Sequence, residues 1–259
     1  MATDPELEIK RRSRRAFIAL GAGAAAVVGG WKWLNRGMGG AADIPPALRG
    51  VLGFNETVVR NALYSNDHLV RTYPASSVGN IKVNGDDGLD VEADPADWRL
   101  EVVPYGKSQS SAKLTIDDIR GLPRYEQTID FKCVEGWSTV TQFAGARLSE
   151  FTAQFAPGSE KAAYVGMQTP DAVGPGAGPD DDEGYYVGLD MPSALHPQSL
   201  LAYEMNGAPL TQGHGAPLRL VIPVKYGIKN IKRIGRIEYT DTRPADFWAK
   251  RGYDWYAGL

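Results

Sequence analysis

Cys133-Val134-Glu135-Gly136-Trp137-Ser138 contains the only cysteine of this 259-residue chain. The stretch follows residues 127–132, whose composition predicts a strand, and a turn is expected after the cysteine. Three interpretations of the thiol are open: a small buried apolar residue, a nucleophile, or a thiolate ligand to a soft metal. A nucleophile would need a histidine base, and none of the three histidines lies in a thiol-protease signature. The cysteine alone does not decide among them.

The composition excludes several kinds of site. With 43% hydrophobic and 23% charged residues, the chain has enough apolar material for one large or two small globular domains. A single cysteine forbids an intrachain disulfide and any zinc site built on two cysteines, and three histidines exclude a His-rich metal cage. The net charge of −3 and the absence of a basic patch in the body of the chain predict no nucleic-acid partner.

The N-terminal segment has the pattern of an export signal. A basic run at residues 10–15 precedes an uncharged apolar run, Ala16–Trp31, and Ser13–Ile18 resembles a twin-arginine signal. Residues 1–42 are therefore predicted to be a twin-arginine signal or an uncleaved anchor, with membrane contact through residues 16–34. The pattern favours the anchor over a cleaved signal, and an ordinary buried helix beside a basic stretch is the alternative. We expect a periplasmic protein tethered to the inner membrane.

Residues 43–259 are predicted to form one α+β domain with mixed β-sheets and short helices. Thr115–Asp118 has the composition of a helix N-terminus, Leu148–Phe155 has helical spacing, and Asn206-Gly207 indicates a hairpin. Residues 170–184 are predicted to be either a solvated insertion or a mobile lid. The strands are predicted at Trp98–Val102, Ala163–Gln168, Leu200–Met205, Leu218–Ile222 and Ile231–Tyr239.

The cysteine stretch resembles the molybdenum-ligating segment of the sulfite oxidase fold, above all its bacterial periplasmic branch, which includes a methionine-sulfoxide reductase catalytic subunit. Further segments resemble the same family in the same order. They are Leu200–Gly207, His214–Arg219, Pro223 and Tyr226–Lys232. The resemblance covers roughly residues 50–240 and implies a sulfite oxidase-type molybdopterin-binding fold.

The family implies roles for named residues. Cys133 would be the protein sulfur on molybdenum held by one molybdopterin per chain, and a soft thiolate suits that metal. Tyr185, with Tyr186 as the alternative register, would face the substrate, and Glu135 would carry protons near the metal. The implied cofactor contacts are Asn55, Glu56, Thr169, His214, Arg219, Lys229, Asn230, Ile231 and Lys232; the basic ones have the chemistry that a phosphate needs.

The predicted function is oxygen-atom transfer at this centre, with a small-molecule substrate and a haem-containing partner, either a membrane b-type cytochrome or a soluble cytochrome. The partner is inferred because the chain has no haem motif or dinucleotide fingerprint of its own. Residues 134–139 lack the arginines that bind sulfite, and residues 54–56 differ from the reductase branch. S-oxide or N-oxide reduction and sulfite oxidase-like chemistry therefore stay open. The alternative is a membrane-tethered, cofactor-free binding or assembly module with the same fold.

Overall fold

The computed structural model describes residues 46–85, 88–89, 92–106, 110–172 and 184–258. The chain divides into two units, Met1–Thr57 and Val58–Leu259. The predicted export segment and residues 173–183 of the predicted lid lie outside the described residues, as does the boundary predicted at 42/43. Within the described ranges, no helix has both the length and the apolar composition that crossing a membrane requires.

Helix α1, Pro46–Val58, contains all the described residues of the first unit and continues into a π-helical turn, Val59–Leu63. A proline fits the first turn of a helix because the backbone N–H it lacks would be unpaired there. The predicted cofactor contacts Asn55 and Glu56 lie on this helix.

The second unit contains two five-stranded sheets. In the first, the order is β2-β1-β10-β5-β6, and only the β1–β10 pair is parallel among the described strands. Its strands are β1 (Leu100–Val103), β2 (Ala112–Leu114), β5 (Tyr164–Gln168), β6 (Tyr186–Asp190) and β10 (Arg236–Thr240). In β1 and β10 buried residues alternate with partly exposed ones, whereas β6 is buried throughout.

The second sheet is antiparallel and is built on one long hairpin. Its strands are β3 (Arg124–Lys132), β4 (Ser138–Arg147), β7 (Leu200–Met205), β8 (Ala208–Pro209) and β9 (Arg219–Val221). The order is β3-β4-β7-β8, and β9 also pairs with β7. Strands β3 and β4 pair without interruption from Arg124↔Ala146 to Lys132↔Ser138, so the hairpin directs residues 133–137 out of the end of the sheet.

Local sequence signals account for the short helices and the tight turn. Helix α2, Ile116–Arg120, starts with the predicted capping box, in which Thr115 and Asp118 bind each other's backbone N–H. Helix α3, Leu148–Phe155, is confirmed and buries Leu148 and Phe151 against the core between the sheets. Helix α4, Met191–Ala194, follows β6 directly. The predicted turn is confirmed too: Asn206 and Gly207 have φ of 52° and 77°, the pattern of a type I′ turn. It joins β7 to the short strand β8, however, and not directly to the strand predicted at Leu218–Ile222.

One predicted strand is shorter than expected. Strand β10 begins at Arg236, although the apolar pattern predicted a strand from Ile231. Arg233 has a φ of 47°, which interrupts an extended chain, and the backbone groups of Ile231 and Ile234 bond to Leu220 and Leu218 instead of a neighbouring strand of the first sheet. Both isoleucines are buried. The apolar pattern therefore predicted their burial correctly but predicted the wrong backbone conformation for them.

Candidate active site

The tip of the β3–β4 hairpin holds the cysteine. The Cys133 N–H donates to the Trp137 carbonyl (2.9 Å), and the Gly136 N–H donates to the Cys133 carbonyl (3.1 Å). Gly136 has a φ of 88°, which a glycine adopts without strain, as in three-residue hairpin loops that end in a bulge. Because the turn is closed by its own backbone, the thiol is held at a fixed place at the end of the sheet.

This tip forms one wall of a large open pocket. The pocket has about 900 Å³ of empty space including its mouth. Its walls come from the hairpin tip, from residues 81–85, from the segment 214–232 and from the C-terminal residues 248–253. The lining residues are Ile81, Lys82, Asn84, Gly85, Phe131, Cys133, Val134, Glu135, Trp137, Tyr185, His214, Arg219, Gly227, Ile228, Asn230, Lys232, Trp248 and Tyr253.

Asn84 contacts the side chains of Cys133 and Glu135, the two residues of the tip for which the sequence predicted a role. Its Nδ2 lies 3.8 Å from Cys133 Sγ and 3.3 Å from a Glu135 carboxylate oxygen. Trp137 Nε1 donates to the same Glu135 oxygen at 2.9 Å. The carboxylate is thus held by two donors beside the thiol. Sequence reasoning missed Asn84, because the pair Asn84-Gly85 indicates only a turn and carries no sign of a contact 49 residues away.

Arg219 is a buried cation that lines the same pocket. Only 2% of it is exposed, and its guanidinium packs over the rings of Phe131 and Phe143. In the described part of the chain its donors reach backbone carbonyls: Nη1 donates to His214 O and Nη2 to Asn230 O, both at 3.2 Å, and Nε to Leu220 O at 3.5 Å. Among the described residues no carboxylate forms an ion pair with it. Burial lowers the pKa of Arg219 to about 10, a value that still leaves a full positive charge at neutral pH.

The neighbouring predicted residues also converge on the pocket. Lys232 Nζ donates to the carbonyls of Asn84 and Gly85 at 2.8 Å each, which fixes the segment carrying Asn84. Asn230 uses its side chain within its own loop, where Oδ1 accepts the Ile222 N–H and Nδ2 donates to Tyr226 O. The Tyr185 hydroxyl donates to Ile228 O at 2.5 Å. The pocket therefore brings together seven of the predicted residues: Cys133, Glu135, Tyr185, His214, Arg219, Asn230 and Lys232.

Three other predicted contacts lie behind the pocket wall and do not line it. Thr169 is fully buried, and its hydroxyl accepts the Tyr185 N–H at 2.8 Å. Ile231 belongs to the apolar core. Lys229 is fully buried too, and its Nζ lies 2.5 Å from an Asp246 carboxylate oxygen. The predicted phosphate-binding role of Lys229 stays a prediction, but in this structure its charge is already paired.

Comparisons with known proteins identify the family of this chain. The family described as oxidoreductase molybdopterin binding domain matches residues 88–248, more than half of the chain. The chain belongs to this family. The sulfite oxidase-type resemblance inferred from the sequence is thereby confirmed, and the protein is a molybdopterin-dependent oxidoreductase.

Two relatives illustrate the similarity. The catalytic subunit MsrP of a protein-methionine-sulfoxide reductase from Xanthomonas axonopodis pv. citri is 33% identical over 80% of this chain and 66% of its own length. A putative protein-methionine-sulfoxide reductase subunit, YedZ1, from Azospira oryzae is 30% identical over 83% of this chain and 78% of its own. This chain thus spans just under two thirds of the length of the Xanthomonas relative.

One solved structure shares the fold. The sulfane dehydrogenase SoxCD from Paracoccus pantotrophus superposes with a TM-score of 0.50 at 20% identity, over 59% of this chain and 40% of that one. At that identity the likeness concerns the fold alone. The mixed sheets with few short helices described above are consistent with it.

The residues present fit the cofactor of this family. A molybdopterin needs a soft sulfur donor for the metal and a cation for its phosphate, and Cys133 and Arg219 supply these groups in one pocket. The buried charge of Arg219, without an anionic partner in the part of the chain that the structure describes, is costly unless an anion joins it. The pocket thus has the composition of an anion site beside a thiol.

His214 gives this site a pH-dependent stability. Burial, followed by the charges of Arg219 and Lys232, lowers the pKa of His214 to about 4, against about 6.5 for an ordinary histidine. The unfolded chain therefore takes up a proton between pH 6.5 and 4 that the folded chain does not bind. We expect the free energy of unfolding of the cofactor-free protein to fall by up to about 3 kcal/mol from pH 7 to pH 4 on account of His214.

Urea unfolding of the wild type and of His214→Asn at both pH values measures this contribution. The variant should lose less stability on acidification than the wild type does. The exposed His68, which lies outside the pocket, provides the matched control as His68→Asn. An equal loss of stability in the wild type and His214→Asn would contradict the expected protonation state.

Proposed function

We propose that this oxidoreductase binds one molybdopterin and reduces a small neutral S-oxide, with electrons supplied by a haem-containing partner. The single observation that carries the proposal is the convergence of a buried thiol and a buried arginine lacking a carboxylate partner among the described residues, Cys133 and Arg219, on one pocket. The names of the Xanthomonas and Azospira relatives, both given as methionine-sulfoxide reductase subunits, support an S-oxide as the substrate class.

The cofactor supplies a two-electron couple that can accept an oxygen atom. In the overall reaction a sulfoxide, two electrons and two protons give a thioether and water. Cys133 is the side chain that would hold the metal, and Arg219 and Lys232, together with backbone groups of the 227–230 loop, would bind the pterin and its phosphate. His214, which stays neutral at physiological pH, adds no charge to this end of the site.

The side chains beside the thiol favour a neutral substrate over an anion. The hairpin tip carries the Glu135 carboxylate, fixed by Asn84 and Trp137, and no basic residue between Cys133 and Trp137. Trp248 and Tyr253 pack edge to face with ring centroids 5.0 Å apart and add an apolar wall to the pocket. An anion such as sulfite would meet a negative charge here, whereas the alkyl groups of a sulfoxide can pack against the rings.

The location and the partner belong to the same proposal. The twin-arginine-like segment supports export of the folded protein with its cofactor, and the apolar run 16–34 supports a tether to the inner membrane. A membrane b-type cytochrome or a soluble cytochrome would then deliver the electrons one at a time.

The experiment uses the full chain produced in a host that makes molybdopterin. We expect molybdenum and pterin to be present in equal amounts, up to one of each per chain, and a reduced artificial dye to be oxidised with methionine sulfoxide or methyl sulfoxides but not with sulfate. Sulfite-dependent reduction of an oxidised dye is the comparison for the opposite direction. Protein without molybdenum, or protein active on sulfite alone, would overturn the proposal.

A further inference from the structure

Behind the pocket lies a buried ion pair whose carboxylate also begins a helix. Helix α5, Phe247–Lys250, carries Trp248 into the pocket and is N-capped by Asp246, whose Oδ1 accepts the Ala249 N–H at 3.0 Å. The other oxygen, Oδ2, lies 2.5 Å from Lys229 Nζ. Both side chains are almost completely buried, at 0% and 2% exposure.

The same pair reaches strand β6. Asp246 Oδ2 accepts the Gly188 N–H at 3.3 Å, and Lys229 Nζ donates to the Gly188 carbonyl at 3.0 Å. Lys229 Nζ also lies 4.7 Å from the centre of the Trp255 ring, and a Cβ at Gly188 would meet that ring at 2.8 Å. A glycine is therefore required for the close approach. Gly188, Lys229 and Asp246 form a closed triangle of contacts.

Each of the three residues lies on, or directly beside, a segment that lines the pocket. Lys229 lies between Ile228 and Asn230, which line it; Gly188 is on the strand that follows Tyr185; and Asp246 begins the helix of Trp248. On the pocket side, the Tyr185 hydroxyl donates to Ile228 O and so joins the residue before β6 to the 227–230 loop. One carboxylate thus connects three walls that are distant in sequence.

We infer that Asp246 is a positioning residue for the cofactor site. Its partner Lys229 holds the 227–230 loop in place from inside the protein and does not bind the phosphate. The inference rests on the proposed function in that the pocket holds the cofactor. Removing the negative charge leaves Lys229 buried without the carboxylate it pairs with, which is far more destabilising than removing both charges together. The loop, the helix and the strand should then loosen together, and the backbone donors of the loop should lose their fixed positions.

The test compares Asp246→Asn with the wild type by hydrogen exchange and by cofactor content. Asn can still cap α5, so the substitution chiefly removes the charge. We expect faster amide exchange in residues 186–190, 226–232 and 247–250 at a temperature where both proteins are folded, and molybdenum and pterin content about tenfold lower. Asp118→Asn is the matched control: Asp118 also accepts a backbone N–H at a helix start but has no buried lysine. Its effect should be confined to α2.

Two further variants separate anchoring from phosphate binding. Lys229→Met should speed exchange mainly in 226–232, because Asp246 keeps its bonds to Ala249 and Gly188. The double variant Lys229→Met/Asp246→Asn should recover most of the cofactor that Asp246→Asn loses, since no unpaired buried charge remains. A double variant no better than the worse single variant would show that Lys229 is needed as a cation for the phosphate and would overturn the inference.

The outcome is distinguishable from a failure of the proposed function. If the wild type contains no molybdenum, the exchange measurements still decide whether Asp246 couples the three segments. Faster exchange at residues 247–250 alone, with the other two segments unchanged, would reduce Asp246 to an ordinary helix cap and would contradict the inference.

Discussion

Cys133→Ala is expected to abolish turnover while the chain still folds. Cys133 is the only thiol of the chain, and it lies at the tip of a hairpin closed by backbone bonds that do not involve Sγ. Removing one sulfur atom from the wall of an open pocket costs on the order of 1 kcal/mol of stability or less. The loss of activity should exceed the roughly 10–100-fold that changes to outer-shell partners of a metal site cause, because a direct ligand is removed.

Molybdenum content, pterin content and dye-linked activity of the purified variant are the measurements. We expect pterin to be lost less completely than molybdenum, since the phosphate contacts of the pocket stay intact. Ser138→Ala, an exposed change one residue beyond the tip, should leave all three unchanged. If Cys133→Ala turned over at the wild-type rate, the cysteine would not be a metal ligand, and it would serve only as a small buried side chain.

Short-range features of the fold were predictable from the sequence because neighbouring residues determine them. The capping box at Thr115 and Asp118 and the turn at Asn206-Gly207 are set by side-chain hydrogen bonds and backbone preferences within four residues. The parallel pairing of β1 with β10 is different, since Glu101 meets Arg236 across most of the domain. No local pattern specifies such a partner.

In the candidate site too, the residue types were predictable from the sequence, whereas contacts between distant segments were not. The residue types at the hairpin tip and at Arg219 indicated a thiolate and a cation, and the structure places both in one pocket. The charge of Lys229 predicted that it would bind the same phosphate. Its pairing with Asp246 depends on where α5 packs in the fold, and no local sequence pattern specifies that position. Asn84 was missed for the same reason. Its amide contacts the Cys133 thiol only because the fold brings two segments together that lie 49 residues apart in the sequence.

Arg219→Met is expected to remove the anion site while keeping the volume of the side chain. The guanidinium supplies a buried charge and a fork of donors, so its contribution to binding a phosphate is that of charge-assisted hydrogen bonds, about 1.5–3 kcal/mol each. Cofactor retention should fall about 10–100-fold. Arg219→Lys should lie between the wild type and Arg219→Met, because an ammonium keeps the charge but loses the planar fork.

The cofactor-free protein offers a second measurement that does not depend on activity. Inorganic phosphate should raise the Tm of the cofactor-free wild type, since a ligand that binds the folded state stabilises it, and should not raise that of Arg219→Met. Arg147→Met is the matched control, because Arg147 stacks on Tyr125 outside the pocket and should leave the phosphate response intact. If Arg219→Met kept both the phosphate response and the cofactor, the buried charge would serve only its carbonyl partners. The anion would then have to be bound through Lys232, whose Nζ is already engaged with the 84–85 backbone, and phosphate binding would have to compete with those two bonds.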